Sequence, residues 1–296
     1  MPTDVPERLL TGLEWRLLHR VDGRLQGGHR TSQRGSGMDV ADVRPYADGD
    51  EARRIDWAVT ARLDETHVRR YDEDREVTAW LVLDRSASMR FGAEGRGKDD
   101  ALAGIAVALT RLLGSTGDRV SALLYDDQAL RVIQPGSGRH QSLLLTRELR
   151  AAAPAGTPGT PTDLRGMLRV AAATARRRGL VIVVSDLVGQ DGWQRELSLL
   201  ARRHEVALIR VVDPLERELP ELGPVVMEDS ETGEQVLVDV SDPGFRARFA
   251  AEIAREDALL AEAARAARVD LHTVSTADSL ADVLVRIVRS TAWRRA

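Results

Sequence analysis

From Val77 onward the chain alternates short apolar runs with longer amphipathic stretches, and the links between them are short. Strands are predicted at Val77–Leu83, Arg119–Tyr125, Leu130–Gln134, Leu180–Val184, Val206–Val212 and Val269–Val274. Helices are predicted at Asp99–Leu113, where Gly114 should stop the helix, and at Arg139–Ala152, Asp163–Arg177, Gln194–Arg203, Gly244–Ala267 and Ser279–Arg289. Leu180–Val184 is almost continuously apolar, as expected of a strand buried on both faces. Such alternation leaves few ways to close a core, and the expected class is α/β: a mainly parallel sheet with helices on both faces. The run Leu130–Gln134 follows Asp126-Asp127-Gln128 so closely that it should pair antiparallel at an edge. Val225–Met227 and Val236–Val238 flank Glu231-Thr232-Gly233 and read as a small hairpin. The long Ala-rich helix Gly244–Ala267 can pack on the sheet or present a face to a partner, with packing as the default for an amphipathic helix.

Aromatic residues make up only 4% of the 296 residues, so the core must be aliphatic. There is no cysteine, which excludes disulfides, thiolate metal sites and a cysteine nucleophile, and fits a reducing compartment. There is no asparagine, hence no N-glycosylation acceptor. Basic and acidic residues, 42 and 46, are interleaved to a net charge of −4, which argues against a nucleic-acid partner. The first residues, Met1-Pro2-Thr3-Asp4-Val5-Pro6-Glu7, lack the basic and apolar regions of a signal peptide. The apolar runs are far shorter than the roughly 20 residues of a membrane span. A soluble, cytoplasmic protein without direct membrane insertion is expected.

Ahead of the α/β pattern, three regions are expected. Residues 1–37 comprise a helix at Glu7–His19 and a Gly-, Ser- and Arg-rich segment from Asp22 to Gly37. That segment reads as an exposed linker whose positive charge could also touch an anionic partner. Residues 38–76 form a charged, turn-rich segment packed on the main domain, which occupies 77–296. In it, Tyr46-Ala47-Asp48-Gly49-Asp50 reads as a turn, Asp50 as the cap of a short helix over about Glu51–Arg62, Ile55 and Val59 as one face of that helix, and Trp57 as an anchor.

Chemistry concentrates at the ends of the predicted elements. Asp84-Arg85-Ser86-Ala87-Ser88-Met89 directly follows the first strand, and two-residue spacing in an extended loop points Asp84, Ser86 and Ser88 to one side. Thr162 stands just before a helix, in Gly159-Thr160-Pro161-Thr162-Asp163-Leu164. Asp186 follows the buried run and Ser185. Together these residues offer only oxygen donors, two of them carboxylates, a set suited to Mg²⁺ or Mn²⁺ with water or a partner's carboxylate completing the shell. The alternative is that Ser86 and Ser88 cap a turn and Asp186 caps a helix. Asp163 can accept a hydrogen bond near the metal or cap its own helix. Thr157 and Thr160 lie in the same loop as Thr162.

Over roughly Val77 to Arg289 the sequence resembles the von Willebrand factor A fold, a Rossmann-like α/β fold, with its metal-ion-dependent adhesion site. By that resemblance the D-x-S-x-S loop, the Thr and the second Asp map onto Asp84, Ser86, Ser88, Thr162 and Asp186, and Thr162-Asp163-Leu164 is similar to the family's Thr-x-Leu. A second resemblance narrows this. Val43-Arg44-Pro45-Tyr46-Ala47-Asp48-Gly49-Asp50, Arg53-Arg54-Ile55-Asp56-Trp57, Ala61-Arg62, Ser88-Met89-Arg90-Phe91-Gly92 and Gly117-Asp118-Arg119-Val120 are similar to the signature of the domain of unknown function 58 family. The family resemblance implies association with MoxR-type AAA+ ATPases that remodel or mature other proteins. Many members carry membrane helices, which this sequence lacks. Arg44, Arg53, Arg54 and Arg62 alternate with Asp48, Asp50 and Asp56, a pattern suited to a charge-assisted network. Arg69 or Arg70 could instead meet a partner.

The expected function is therefore a metal-dependent protein-interaction module and not an enzyme, acting with an AAA+ ATPase or a client protein and on no small-molecule substrate. Gly95-Arg96-Gly97-Lys98-Asp99 is not a P-loop, because Asp99 stands where a Ser or Thr is needed and the spacing fails. A metal-dependent phosphohydrolase using Asp84 and Asp186 is the alternative. It lacks the acid/base Asp two residues after its nucleophile, where Ser86 stands. No G-x-S-x-G elbow points to a serine hydrolase. The six histidines are scattered singly, with His204 and His272 expected at the surface beside strand starts.

Overall fold

The computed structural model describes residues 40–47, 50–71, 78–92, 96–115, 117–126, 130–151, 162–189, 192–220, 222–228 and 235–288. The expected helix Glu7–His19, the basic segment up to Gly37, Asp48, Thr157, Thr160 and the turn Glu231-Thr232-Gly233 lie outside these residues. The described residues fall into two compact units, 40–71 and 78–288.

In the smaller unit, strands β1 (Val40–Pro45) and β2 (His67–Tyr71) pair antiparallel, and the single-turn Ala52–Arg54 and helix α1 (Trp57–Leu63) lie between them in sequence. The expected helix over Glu51–Arg62 is thus shorter and starts later. Asp50 does not cap it. Its carboxylate is held by the Arg44 guanidinium at 2.6 and 2.7 Å and by the Ala47 amide. Asp56 is the cap, accepting from the Ala58 and Val59 amides. Ile55 falls before the helix and bridges to Val68, so it shares no helical face with Val59. Trp57 opens α1 and is 69% exposed.

The larger unit contains a six-stranded sheet. In chain order its members are β3 (Thr78–Asp84), β4 (Arg119–Tyr125), β5 (Leu130–Gly136), β6 (Leu180–Ser185), β7 (Glu205–Val212) and β10 (Asp270–Ser275). Their spatial order is β10-β7-β6-β3-β4-β5, all parallel except the edge strand β5. This is the expected α/β architecture with its one antiparallel edge strand. A separate hairpin joins β8 (Pro224–Glu228) and β9 (Gln235–Asp239).

Strand residues alternate between two cores. Leu81, Leu83, Ile182, Val184, Ile209 and Val211 face α2 (Lys98–Ser115), α3 (Gly138–Arg150) and α7 (Leu280–Val288). Val82, Val181, Val183 and Leu208 face α4 (Leu164–Thr174), α5 (Trp193–Arg203) and α6 (Pro243–Ala267). Every residue of β6 is buried, as its unbroken apolar run requires. Gly114 does not end α2, which continues to Ser115, while α3, α4 and α7 are shorter than the sequence pattern suggests. At the N-terminal edge of β7, His204 is 4% exposed and not the surface residue expected, because α5 ends against the start of the strand. Burial first, with Arg203 nearby, lowers its pKa.

The two cores make β6 the most sensitive strand. Ile182→Ala removes a fully buried side chain from its centre and should destabilise the protein by about 2–5 kcal/mol, measured by urea unfolding.

Candidate functional site

Counted along the chain, the sheet strands run in the spatial order 3-2-1-4-5-6. The direction of growth reverses between β3 and β6, where neighbouring loops leave toward opposite sides and open a crevice at the carboxyl ends of the strands. Leu83 lies opposite Val184, so Asp84 and Ser185 are the next residues out on the two strands. The sheet thus brings Asp84 together with Ser185 and Asp186 across 101 positions of chain.

Each carboxylate uses one oxygen to set its own loop. Asp84 Oδ1 accepts from the Ser86 amide at 2.9 Å, and Asp186 Oδ1 from the Val188 amide at 3.2 Å. The other oxygens point to partners across the site. Ser185 Oγ donates to Asp84 Oδ2 at 2.6 Å. Lys98 Nζ donates to Asp186 Oδ2 at 2.7 Å and to Glu216 Oε1 at 2.6 Å. Ser86 Oγ and Ser88 Oγ are 3.1 Å apart, so the two-residue spacing does bring these hydroxyls together. Arg85, between Asp84 and Ser86 in sequence, turns away to Asp99 and to the Leu149 carbonyl.

Thr162 is buried at the start of α4. Its carbonyl oxygen lies so close to Gly189, three residues beyond Asp186, that a Cβ there would stand 2.4 Å from it. The backbone of the Thr162 loop is therefore seated against the loop that carries Asp186. Asp163 caps α4 through the Gly166 amide.

Asp84, Ser86, Ser88, Thr162 and Asp186 are all at most 2% exposed. Burial, and next the nearby Asp186 charge, push the Asp84 carboxyl up to about 7, against the opposing hydrogen bonds from Ser185 and Ser86. Burial alone would lower the Lys98 pKa, but the Asp186 and Glu216 carboxylates outweigh it and hold it above the usual lysine value. Arg210 donates Nε to the Asp186 carbonyl and gives its charge to Asp257.

Lys98, Ser185 and Glu216 are the residues sequence reasoning missed. Lys98 is 1% exposed and is the only lysine in a chain with 42 Lys and Arg residues. That solitary use of lysine was the available signal. Its compact ammonium serves two carboxylates from different elements at once, at 2.7 and 2.6 Å. Ser185 was legible as a hydroxyl ending an otherwise apolar strand.

The site thus sets two carboxylates, Asp186 and Glu216, on one ammonium, with Asp84 beside Asp186 and hydroxyls alongside. Among the described residues no three His, Asp or Glu side chains form a metal cage of their own. A cation held here would depend on hydroxyl oxygens as much as on carboxylates. The donor chemistry and the excess negative charge both fit a hard divalent ion.

The buried Asp84 makes a prediction for the metal-free protein. An unfolded aspartate titrates near ~3.9, so between that pH and about 7 the native chain binds a proton that the unfolded chain has released. Stability attributable to this residue is present below that window and is lost as pH rises through about 7. In chelator, the melting temperature should fall between pH 5 and pH 8, and Asp84→Asn should flatten the decline.

The family described as "Protein of unknown function DUF58" matches residues 42–259. An uncharacterized protein of Mycobacterium tuberculosis is 39% identical over 287 residues, covering 95% of this chain and 88% of the relative. A shorter uncharacterized protein of Mycobacterium avium is 38% identical over 159 residues, 52% of this chain and 90% of the relative. Among solved structures, BatB from Bacteroides thetaiotaomicron aligns with a TM-score of 0.43 and 15% identity, over 72% of this chain and 100% of that one. The SpRpn10 VWA domain aligns with a TM-score of 0.37 and 13% identity, over 75% of this chain and 97% of that one. With the family match spanning most of its length, the chain belongs to the DUF58 family.

Proposed function

We propose that this protein is a metal-dependent protein-interaction module that works beside a MoxR-type AAA+ ATPase in remodelling or maturing other proteins. The observation that carries the metal part is the convergence of Asp84, Ser86, Ser88 and Asp186 at the switch point of the sheet, with more negative charge than Lys98 neutralises. In this reading Ser86, Ser88 and Thr162 supply hydroxyl oxygens to Mg²⁺ or Mn²⁺, and Asp84 and Asp186 balance its charge directly or through water. When bound, the ion supplies an open coordination position for an oxygen ligand of the partner. The protein's own residues fix the donors in place and exclude bulk water from beneath them.

The rim of the site supports a protein partner. The loops that follow β3, β6 and β7 carry the exposed apolar side chains Phe91, Val188 and Leu215. An apolar rim around a polar centre suits a docking protein surface. Beside it, a groove of about 460 Å³ is lined by Pro214, Leu215, Phe249 and Arg217 among others. Nucleophilic chemistry is less well served: Asp84 is fully buried, and both of its oxygens already accept hydrogen bonds. The ATPase partner is inferred from the family signature. Among the described residues no helix is long and apolar enough to cross a membrane.

Two measurements test this. Mn²⁺ titration followed by electron paramagnetic resonance should show one bound ion in the wild type and loss of that ion, by roughly a hundredfold in affinity or more, in Asp84→Ala. An equal response in both proteins sinks the site. Affinity capture with the candidate ATPase should succeed with Mg²⁺ and fail with chelator or with Ser86→Ala. Capture that ignores both removes the metal from the interaction.

A further inference from the structure

Lys98 occupies an unusual place. Its ammonium lies almost wholly out of solvent and donates to two carboxylates from different elements, Asp186 beyond β6 and Glu216 in the turn after β7. It also sits 5.8 Å from the centre of the Phe91 ring, on the loop that follows Ser86 and Ser88. One carboxylate would neutralise it. The second needs a reason, because ordering and partly burying a further charge is costly unless it performs a task.

Glu216 is held firmly. It caps the Pro214–Glu216 turn jointly with Asp213, whose amide donates to Glu216 Oε2 at 3.3 Å while Asp213 Oδ1 accepts from the Leu215 amide. Asp213 is tied in turn to Thr276 at 2.7 Å, beyond the end of β10. The other carboxylate oxygen of Glu216, Oε1, accepts from Lys98 at the outer side of the site, and Glu216 remains 31% exposed. Asp186 is the inner acceptor, 2% exposed, and both its oxygens are engaged. A divalent ion drawing on Asp186 must therefore compete with the ammonium already there.

We propose that Lys98 is a tethered cation that shares Asp186 with the incoming metal and is parked on Glu216 when the metal binds, so that this lysine and glutamate set how tightly the ion is held. The inference rests on the metal-binding reading above. It assigns Lys98 and Glu216 as positioning residues outside the ligand set. Without metal, Lys98 prevents two buried carboxylates from facing each other uncompensated. With metal, Glu216 keeps the lysine paired while Asp186 turns its charge to the ion. The need for a small, single-point charge that can shift between two acceptors explains a lysine at this position in a chain that otherwise uses arginine throughout.

The test is Mn²⁺ affinity of the full chain, read by electron paramagnetic resonance, in wild type, Lys98→Met and Glu216→Gln. Removing the competing cation should tighten Mn²⁺ by roughly tenfold or more, whereas Glu216→Gln, which leaves Lys98 with Asp186 alone, should weaken it by a similar factor. A merely structural lysine would lower affinity in both variants, so opposite directions support the proposal. Unchanged or weaker binding in folded Lys98→Met overturns it while leaving the metal site standing. If Lys98→Met does not fold, Lys98→Gln, which keeps a hydrogen-bond donor without the charge, decides: tighter binding supports the proposal and unchanged or weaker binding overturns it. Absence of bound Mn²⁺ in every variant overturns both this inference and the metal reading. Binding in Lys98→Met but not in wild type supports the inference in its strongest form.

Discussion

Two carboxylates, Asp84 and Asp186, are forced beside each other in a place that water does not reach. Neither the burial nor the proximity is favourable by itself, since each raises the energy of the charged form. Most of the surrounding detail follows from making this arrangement tolerable. The Ser86 and Val188 amides fix one oxygen of each acid. Ser185 reaches back to Asp84, and the only lysine of the chain is placed on Asp186. Helix α2 begins at that lysine, so the helix that covers one face of the sheet also delivers the compensating charge.

The fold makes the geometry possible by keeping its middle rigid. β3 and β6 are central, and each is covered by aliphatic side chains from both layers of helices. Close packing there leaves the strand ends little freedom, and the polar groups at those ends inherit that precision. The rim, by contrast, carries Phe91, Val188 and Leu215 in the open. A packed polar floor under an exposed apolar margin is the arrangement on which the proposed function rests.

Much of this was readable in the sequence, and the reasons are physical. Apolar runs such as Leu180–Val184 can satisfy a two-faced sheet and little else, so β6 and its neighbours were legible. So were Asp84, Ser86, Ser88 and Asp186, because their positions at strand ends fix where they point. The small unit was harder. β1 and β2 are charged and contain Pro45, and their pairing depends on contacts 20 or more positions apart, which local periodicity does not encode. Asp50 and Asp56 are chemically equivalent as caps. Only the position of Arg44 decides that the first is an ion-pair partner and the second a cap. Lys98 escaped notice because its role is defined by Asp186 and Glu216, 88 and 118 positions away.

The bond from Ser185 to Asp84 spans 101 positions of chain, and the lysine contact to Glu216 spans 118. No segment made early in synthesis contains both acids of the site. The loop β3 builds first has its serines but no second acid, and the sheet cannot place that acid until β6 has inserted next to β3. Closing so long a separation is entropically slow even though it costs little more than a shorter one. Chains that stop short of β6 therefore lack the paired acids altogether. Every contact of the site closes within the span from Asp84 to Glu216, so its assembly reports that the middle of the sheet has formed.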